Sequence, residues 1–157
     1  MSNSRAINVA AAAVALLNSA PAQTAFAPFS FVAVRAYRPN IDLTQQKSAL
    51  QVLVIPQALA TTPFSRGIVD DHVSIDVGVW DWVDPDGEVT QADALMLLVE
   101  QIKQQLEAPG ALVLTDAPKD CGWQGTDNDP IFDPALLQNN SIFASVSTFT
   151  YMTRRAR

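Results

Sequence analysis

The chain has 157 residues, is 48% hydrophobic and carries a formal net charge of −6, which suits one domain with a real buried core. It has one cysteine, Cys121, so an internal disulfide framework of the secreted kind is excluded. Charge is unevenly laid out: of 16 acidic residues only Asp42 lies outside Asp70–Asp133, and that span holds just two bases, Lys103 and Lys119, so it carries −13 against +7 on the flanks.

In chain order, the first element is SRAINVAAAAVALLNSAPAQ. Arg5, an apolar run and the small-residue triplet Ala20-Pro21-Ala22 resemble a secretory signal peptide. Asn8 interrupts the run and alanine dominates it, so the spacing predicts instead an amphipathic helix from near Ser4, with Ile7, Ala10, Val14 and Leu17 on one stripe. The run is shorter than the ~20 apolar residues of a membrane span. Residues 1–27 form this helix and its connector.

After Pro28 the period changes to two. In FSFVAVRAYRP, Ser30, Val32, Val34 and Ala36 alternate with Phe31, Ala33, Arg35 and Tyr37, which predicts a strand ended by Pro39. NIDLTQQKSA is a polar connector. LQVLVIP is nearly all apolar and predicts a central strand closed by Pro56. QALATTPFSRG, without period and with Pro63 and Gly67, is expected to be a loop. DDHVSIDVGVWDW predicts a long strand: Val73, Ile75, Val77 and Val79 face the core, and His72, Ser74, Asp76, Gly78, Trp80 and Trp82 face away. DPDGE makes a turn.

A second helix is expected from Thr90, with Asp93 in a weak capping box and Leu95, Leu98, Val99, Ile102 and Leu106 as its stripe; Pro109 and Gly110 end it. ALVLT is a candidate short strand, and residues 116–133 a long loop. Asp133 caps a one-turn helix that has Pro134 at its first position. IFASVSTFTYMTRR alternates as a last strand. Strands dominate and βαβ repetition is absent, so the expected class is α+β: a mostly antiparallel sheet with two main helices, in a single domain over residues 1–157.

Chemistry-bearing clusters are weak. Asp70, His72 and Asp76 share one strand face, but residues i and i+4 on a strand lie about 13 Å apart, and Asp70 with His72 falls short of the three protein ligands zinc needs. TDNDPIFDP lacks the spacing and closing Glu of an EF-hand; Asx-turns and a helix cap account for it. Cys121 would need an activating base to act as a nucleophile, and His72, the only imidazole, lies on a different element. No phosphate-binding glycine loop, GxSxG elbow or CxxC pair occurs. No catalytic residue, metal or cofactor is expected, and no basic patch interleaved with aromatics favours nucleic acid.

Taken together, FVAVRAYRP, LQVLVIP, SRGIVDDHVSIDVGVW, ADALMLLVEQI and NDPIFDPALLQNNSIFASVSTFTYMTRR resemble the small tail-terminator, or tail-completion, proteins of long-tailed bacteriophages. The likeness runs from Phe31 to Arg155 through the order of segments rather than through any motif of chemistry. It implies a non-catalytic α+β subunit made in the host cytoplasm and carried in the virion. Such subunits form a sixfold ring that caps the finished tail tube, ends its polymerisation and meets the head connector, while DNA passes through the lumen without specific binding.

A ring interface is head-to-tail and needs two different complementary surfaces, which the −13 segment and the +7 flanks are suited to supply. Candidate interface residues are Trp80 and Trp82, on the face turned from the core, and Arg35, Tyr37 and Arg38 at the end of the first strand. Arg154 and Arg155 of the closing RRAR either meet acids on a neighbour or trail in solvent. The alternatives are a head-completion or adaptor protein of the same neck, a secreted monomeric binding module, and a metal-dependent enzyme.

Overall fold

A computed structural model describes residues 4–38 and 50–157 of the chain. In order, the elements are α1 (Arg5–Leu17), α2 (Ala20–Ala25), β1 (Val34–Arg35), β2 (Gln51–Ser65), β3 (Ile68–Trp82), α3 (Glu88–Glu107), β4 (Gly122–Asp127), α4 (Pro134–Asn140) and β5 (Ile142–Ala156). The strands form one sheet in the order β1-β2-β3-β5-β4. Every pairing is antiparallel except the short parallel contact of β1 with β2. This is the expected α+β arrangement, with α1 and α3 contributing to the core on one side of the sheet.

β3 and β5 carry the alternation read from the sequence. Val73, Ile75, Val77 and Val79 are buried, as are Phe143, Ser145, Ser147, Phe149 and Tyr151 opposite them on β5. Leu95, Leu98, Val99, Ile102 and Leu106 of α3 close over this face. The buried Tyr151 hydroxyl donates to the Leu106 carbonyl at 2.7 Å, which satisfies a carbonyl of the last helical turn and ties α3 to β5.

Several boundaries differ from expectation. α1 starts at the Ser4 cap, whose hydroxyl accepts from the Ile7 N–H, but its buried stripe is Val9, Ala10, Ala13 and Leu17 rather than one centred on Ile7 and Val14. Asn8 is buried too, because its amide donates to Asp116 at 2.9 Å. The triplet Ala20-Pro21-Ala22 opens α2, whose following Phe26 stacks on Phe31 with ring centres 5.3 Å apart.

The first strand shrinks to Val34–Arg35. Phe31 and Ala33 still face the core, but the main chain of Ala33 bonds to the Asn18 amide, which accepts from its N–H at 2.8 Å and donates to its carbonyl at 3.0 Å. A side chain here takes the place of a neighbouring strand. The expected stop at Pro39 and the connector at 40–49 lie outside the described residues.

The largest correction concerns residues 57–65. They continue β2 through both prolines instead of forming a loop. Register shifts fall at Pro56/Ala58 and Pro63/Ser65, and among the described residues β1 pairs with β2 only at Leu53 and Val54. Among the described residues, β2 beyond Val54 is therefore an edge, where a bulge or an outward-facing proline removes no essential ladder bond. β2 and β3 form a long arm turning at Gly67, which has the positive φ of 85° that the tight turn requires.

Elsewhere, α3 begins at Glu88, directly after a 3-10 turn at Pro85–Gly87, so Thr90 lies inside it. The Gln91 side chain accepts from the Asp84 N–H at 2.7 Å and fixes that entry. ALVLT makes only an isolated bridge between Val113 and Asp120. Residues 116–133 contain β4, the outer strand beside β5, and so are not one long loop. Asp133 caps α4 by accepting from Ala135 and Leu136, and the helix runs seven residues rather than a single turn.

Trp80 does face away from the main core, but it is only 7% exposed. It forms a second, small cluster with Leu53, Ile142 and Ala144, with Leu136 of α4 packed against it. Its ring lies over Gly78: a Cβ there would stand 1.9 Å from the indole. Gly78→Ala is expected to lower stability by about 2 kcal/mol through overpacking. In denaturant titrations much of that loss should disappear when Trp80→Leu is combined with it; fully additive losses would show that the contact is not the cause.

Candidate assembly interface

The core-side face of the sheet is covered along its middle by α1 and α3. The opposite face has α4 at one end only, and the rest carries mostly polar side chains, several in hydrogen-bonded cross-strand pairs, with Val146 exposed among them. Ser74 meets Thr150 at 3.1 Å, Thr148 donates to Asp76 at 2.6 Å, and Thr62 lies 3.3 Å from the His72 ring. Asp70, His72 and Asp76 share this face as expected, yet each is matched to a different cross-strand partner. Among the described residues, no three of the His, Cys, Asp and Glu side chains gather as a metal-binding group. Cys121 sits in the main core, where burial pushes its thiol up to about 11. It is therefore a neutral thiol at pH 7 and a poor nucleophile.

The closing arginines are not loose. The β3/β5 register sets Asp70 against Arg154 and Asp71 against Arg155, and both pairs close as ion pairs within the chain. Arg154 also lies over the Phe64 ring, 3.4 Å from its centre. Its hydrogen bond to Asp70 holds that carboxyl below its ordinary value of 3.8.

Asp71, on the other face, is 2% exposed. Burial pushes its carboxyl up, but hydrogen bonds from Arg155 and from Thr61, the latter at 2.6 Å, outweigh burial and leave it lowered. These pairs brace the arm. Asp81 is the contrary case: burial raises its carboxyl against a single backbone N–H from Trp82.

Among the described residues, the two sides of the sheet are open as well. On the β2 side, residues 34–38 and 51–66 contain Arg35, Arg38 and Arg66 and no acid, and all three arginines are exposed. Arg35 donates to the Tyr37 hydroxyl at 3.0 Å and lies over its ring, which holds the guanidinium of this short edge strand in place. The arm also exposes Leu59 (50%) and Phe64 (56%).

On the β4 side, residues 116–133 carry five aspartates against Lys119 alone. Asp127, Asp129 and Asp133 line a concavity of about 350 Å³ with Trp80, Phe132 and Leu136, and Trp123 on β4 is 41% exposed.

Of the seven residues singled out from the sequence, Arg35, Tyr37 and Arg38 thus stand on the basic edge. Trp80 is packed inside the chain, and Trp82, opposite Ile142, is half-buried. Arg154 and Arg155 are ion-paired internally. The edge residues Leu59, Phe64 and Trp123 were missed. Pro56 and Pro63 concealed the first two, because proline removes the usual strand signal, and the glycines around Trp123 concealed the third.

The lowered carboxyls give stability that is present above their unfolded values and lost as pH falls through the folded ones. The arm should therefore loosen below about pH 4. Arg155→Ala is expected to cost about 2 kcal/mol at pH 7 by stranding Asp71, and the difference from wild type should shrink in acid. Asp81→Asn should instead stabilise at pH 7, with an advantage that fades as pH drops below the raised carboxyl value. Urea titrations at pH 7 and pH 3 read all three effects; a cost for Arg155→Ala that does not change with pH would contradict the assignment. No protein-family model and no curated protein matches this chain.

Proposed function

We propose that the chain is a structural subunit of a long-tailed phage virion, a tail terminator. In this reading copies join head-to-tail into a sixfold ring that caps the tail tube, ends its polymerisation and offers a surface to the head connector. The observation that carries the ring is the sheet with two unlike open sides, one basic and one acidic. A surface that is positive on one side and negative on the other repels its own kind at each side and attracts the opposite side of the next copy. Such contacts are heterologous and close into rings when the rotation between copies allows.

Tail capping rests on the resemblance of segment order from Phe31 to Arg155. The reading involves no catalysis and no cofactor, and DNA would pass the ring without being gripped. The buried, neutral Cys121 thiol and the separately partnered Asp70, His72 and Asp76 agree with that. No helix among the described residues is long and apolar enough to cross a membrane.

Light scattering on the purified protein, alone and with assembled tail tubes, tests the reading. A ring-sized particle, or a monomer converted to rings at tube ends, is the expected result. A stable monomer that ignores tube ends would overturn it.

A further inference from the structure

The directions of the strands specify more than the existence of two sides. β2 runs antiparallel to β3, β3 to β5, and β5 to β4, so β2 and β4 point in opposite directions. If a second copy is placed beside the first with its helices on the same side of the sheet, its β2 lies antiparallel to the first copy's β4. The alternation of the sheet then continues unbroken across the joint.

Among the described residues, the two open edges are also close in length. Between Pro56 and Pro63, β2 offers residues 57–62, a window of six with every backbone N–H present; β4, Gly122–Asp127, is six residues long with a bulge between Trp123 and Gly125. Prolines and bulges at both ends of the window restrict pairing to it, which is how edge strands avoid indiscriminate partners.

We infer that β4 of one copy pairs antiparallel with residues 57–62 of the next, joining the sheets of neighbouring subunits edge to edge. The inference rests on the ring reading above and names its contact. Antiparallel alignment sets the Asp127 end of β4 beside residue 57. The chain continuing to Asp129 then runs towards Val54, where Arg35 pairs on the same outer edge of β2 and Arg38 follows. At the other end, the segment before Gly122, with Asp120, comes beside Thr62 and the Arg66 that follows the arm. Both ends of the joint thus bring aspartate to arginine, and reversing the alignment would lose the match of strand direction.

The apolar residues agree. Leu59 stands opposite the core residue Val73, and Trp123 opposite the core residue Tyr151, so both lie on the helix-bearing face. The joint would bring these two half-exposed side chains to one face, where they cover each other. Edge pairing of this kind draws affinity from main-chain hydrogen bonds and specificity from the flanking side chains.

Two full-length variants test the contact. Arg35→Glu with Arg38→Glu makes the basic edge acidic, and Asp127→Arg with Asp129→Arg makes the acidic edge basic. Each variant alone then opposes like charges at every joint, and its self-association, followed by light scattering at low salt, should weaken roughly a hundredfold or more. Mixed in equal amounts the two are complementary at every joint, and association should return with alternating copies. Recovery in the mixture also shows that both variants fold.

The inference is overturned if either variant, folded by circular dichroism, associates like wild type. It is equally overturned if the mixture stays dissociated while wild type associates, or if wild type forms neither oligomers in solution nor rings at tube ends. Tube-end labelling separates this from the tail-capping reading. Edge contacts without labelling leave the joint standing and remove the terminator, whereas rings that cap tubes despite both reversals remove only the joint.

Discussion

The fold depends on β3 being paired along nearly its whole length on both sides. A fifteen-residue strand with β2 on one side and β5 on the other has no freedom to slip, because a shift of one residue would turn Val73, Ile75, Val77 and Val79 out of the core. That register dictates the rest. It places Phe149 and Tyr151 under α3, brings Asp70 and Asp71 to Arg154 and Arg155, and leaves Ser74, Asp76, Thr148 and Thr150 on the uncovered face. It also sets Gly78 beneath Trp80, which lets the indole lie against the sheet instead of standing away from it.

Sequence patterning revealed this centre and lost the periphery, for one physical reason. Alternation is strict where one face of a strand is buried and the other is not, so β3 and β5 were legible almost residue by residue, and the stripe of α3 equally so. At the edges burial relaxes. Residues 57–65 are exposed throughout, their order is imposed by pairing with β3, and prolines at tolerated edge positions look like breakers. β4, with two glycines in six residues, is held by β5 rather than by its own propensity. Asn18 standing in for a strand at Ala33 has no local signature, since the contact is made across fifteen residues.

The residues singled out as exposed anchors divided accordingly. Among the described residues, Arg35, Tyr37 and Arg38 sit on an open side of the sheet, and residues 34–38 and 51–66 contain no acid. Trp80 lies on the far face, and the layer that covers it is α4 rather than the first helix, because Leu136 arrives from a helix more than fifty residues later. The pairing of Arg154 and Arg155 with consecutive aspartates of β3 follows from a register that charge composition alone does not specify. The uneven distribution of acids and bases along the chain becomes spatial only in part: the aspartates of residues 116–133 lie on the β4 side and Arg35, Arg38 and Arg66 on the β2 side, while the rest of the acidic segment sits on the central β3 and on α3.

A subunit built in this way has a rigid middle and two chemically unlike open edges, and its account as a ring component stands on those edges being used together. Amide hydrogen exchange compared between dilute and self-associated protein measures this most directly. Residues 57–62 and 122–127 should gain protection in the same step, while β3, already paired with both β2 and β5, changes little. Protection gained on one edge alone, or confined to the open polar face around Ser74 and Thr150, would contradict it.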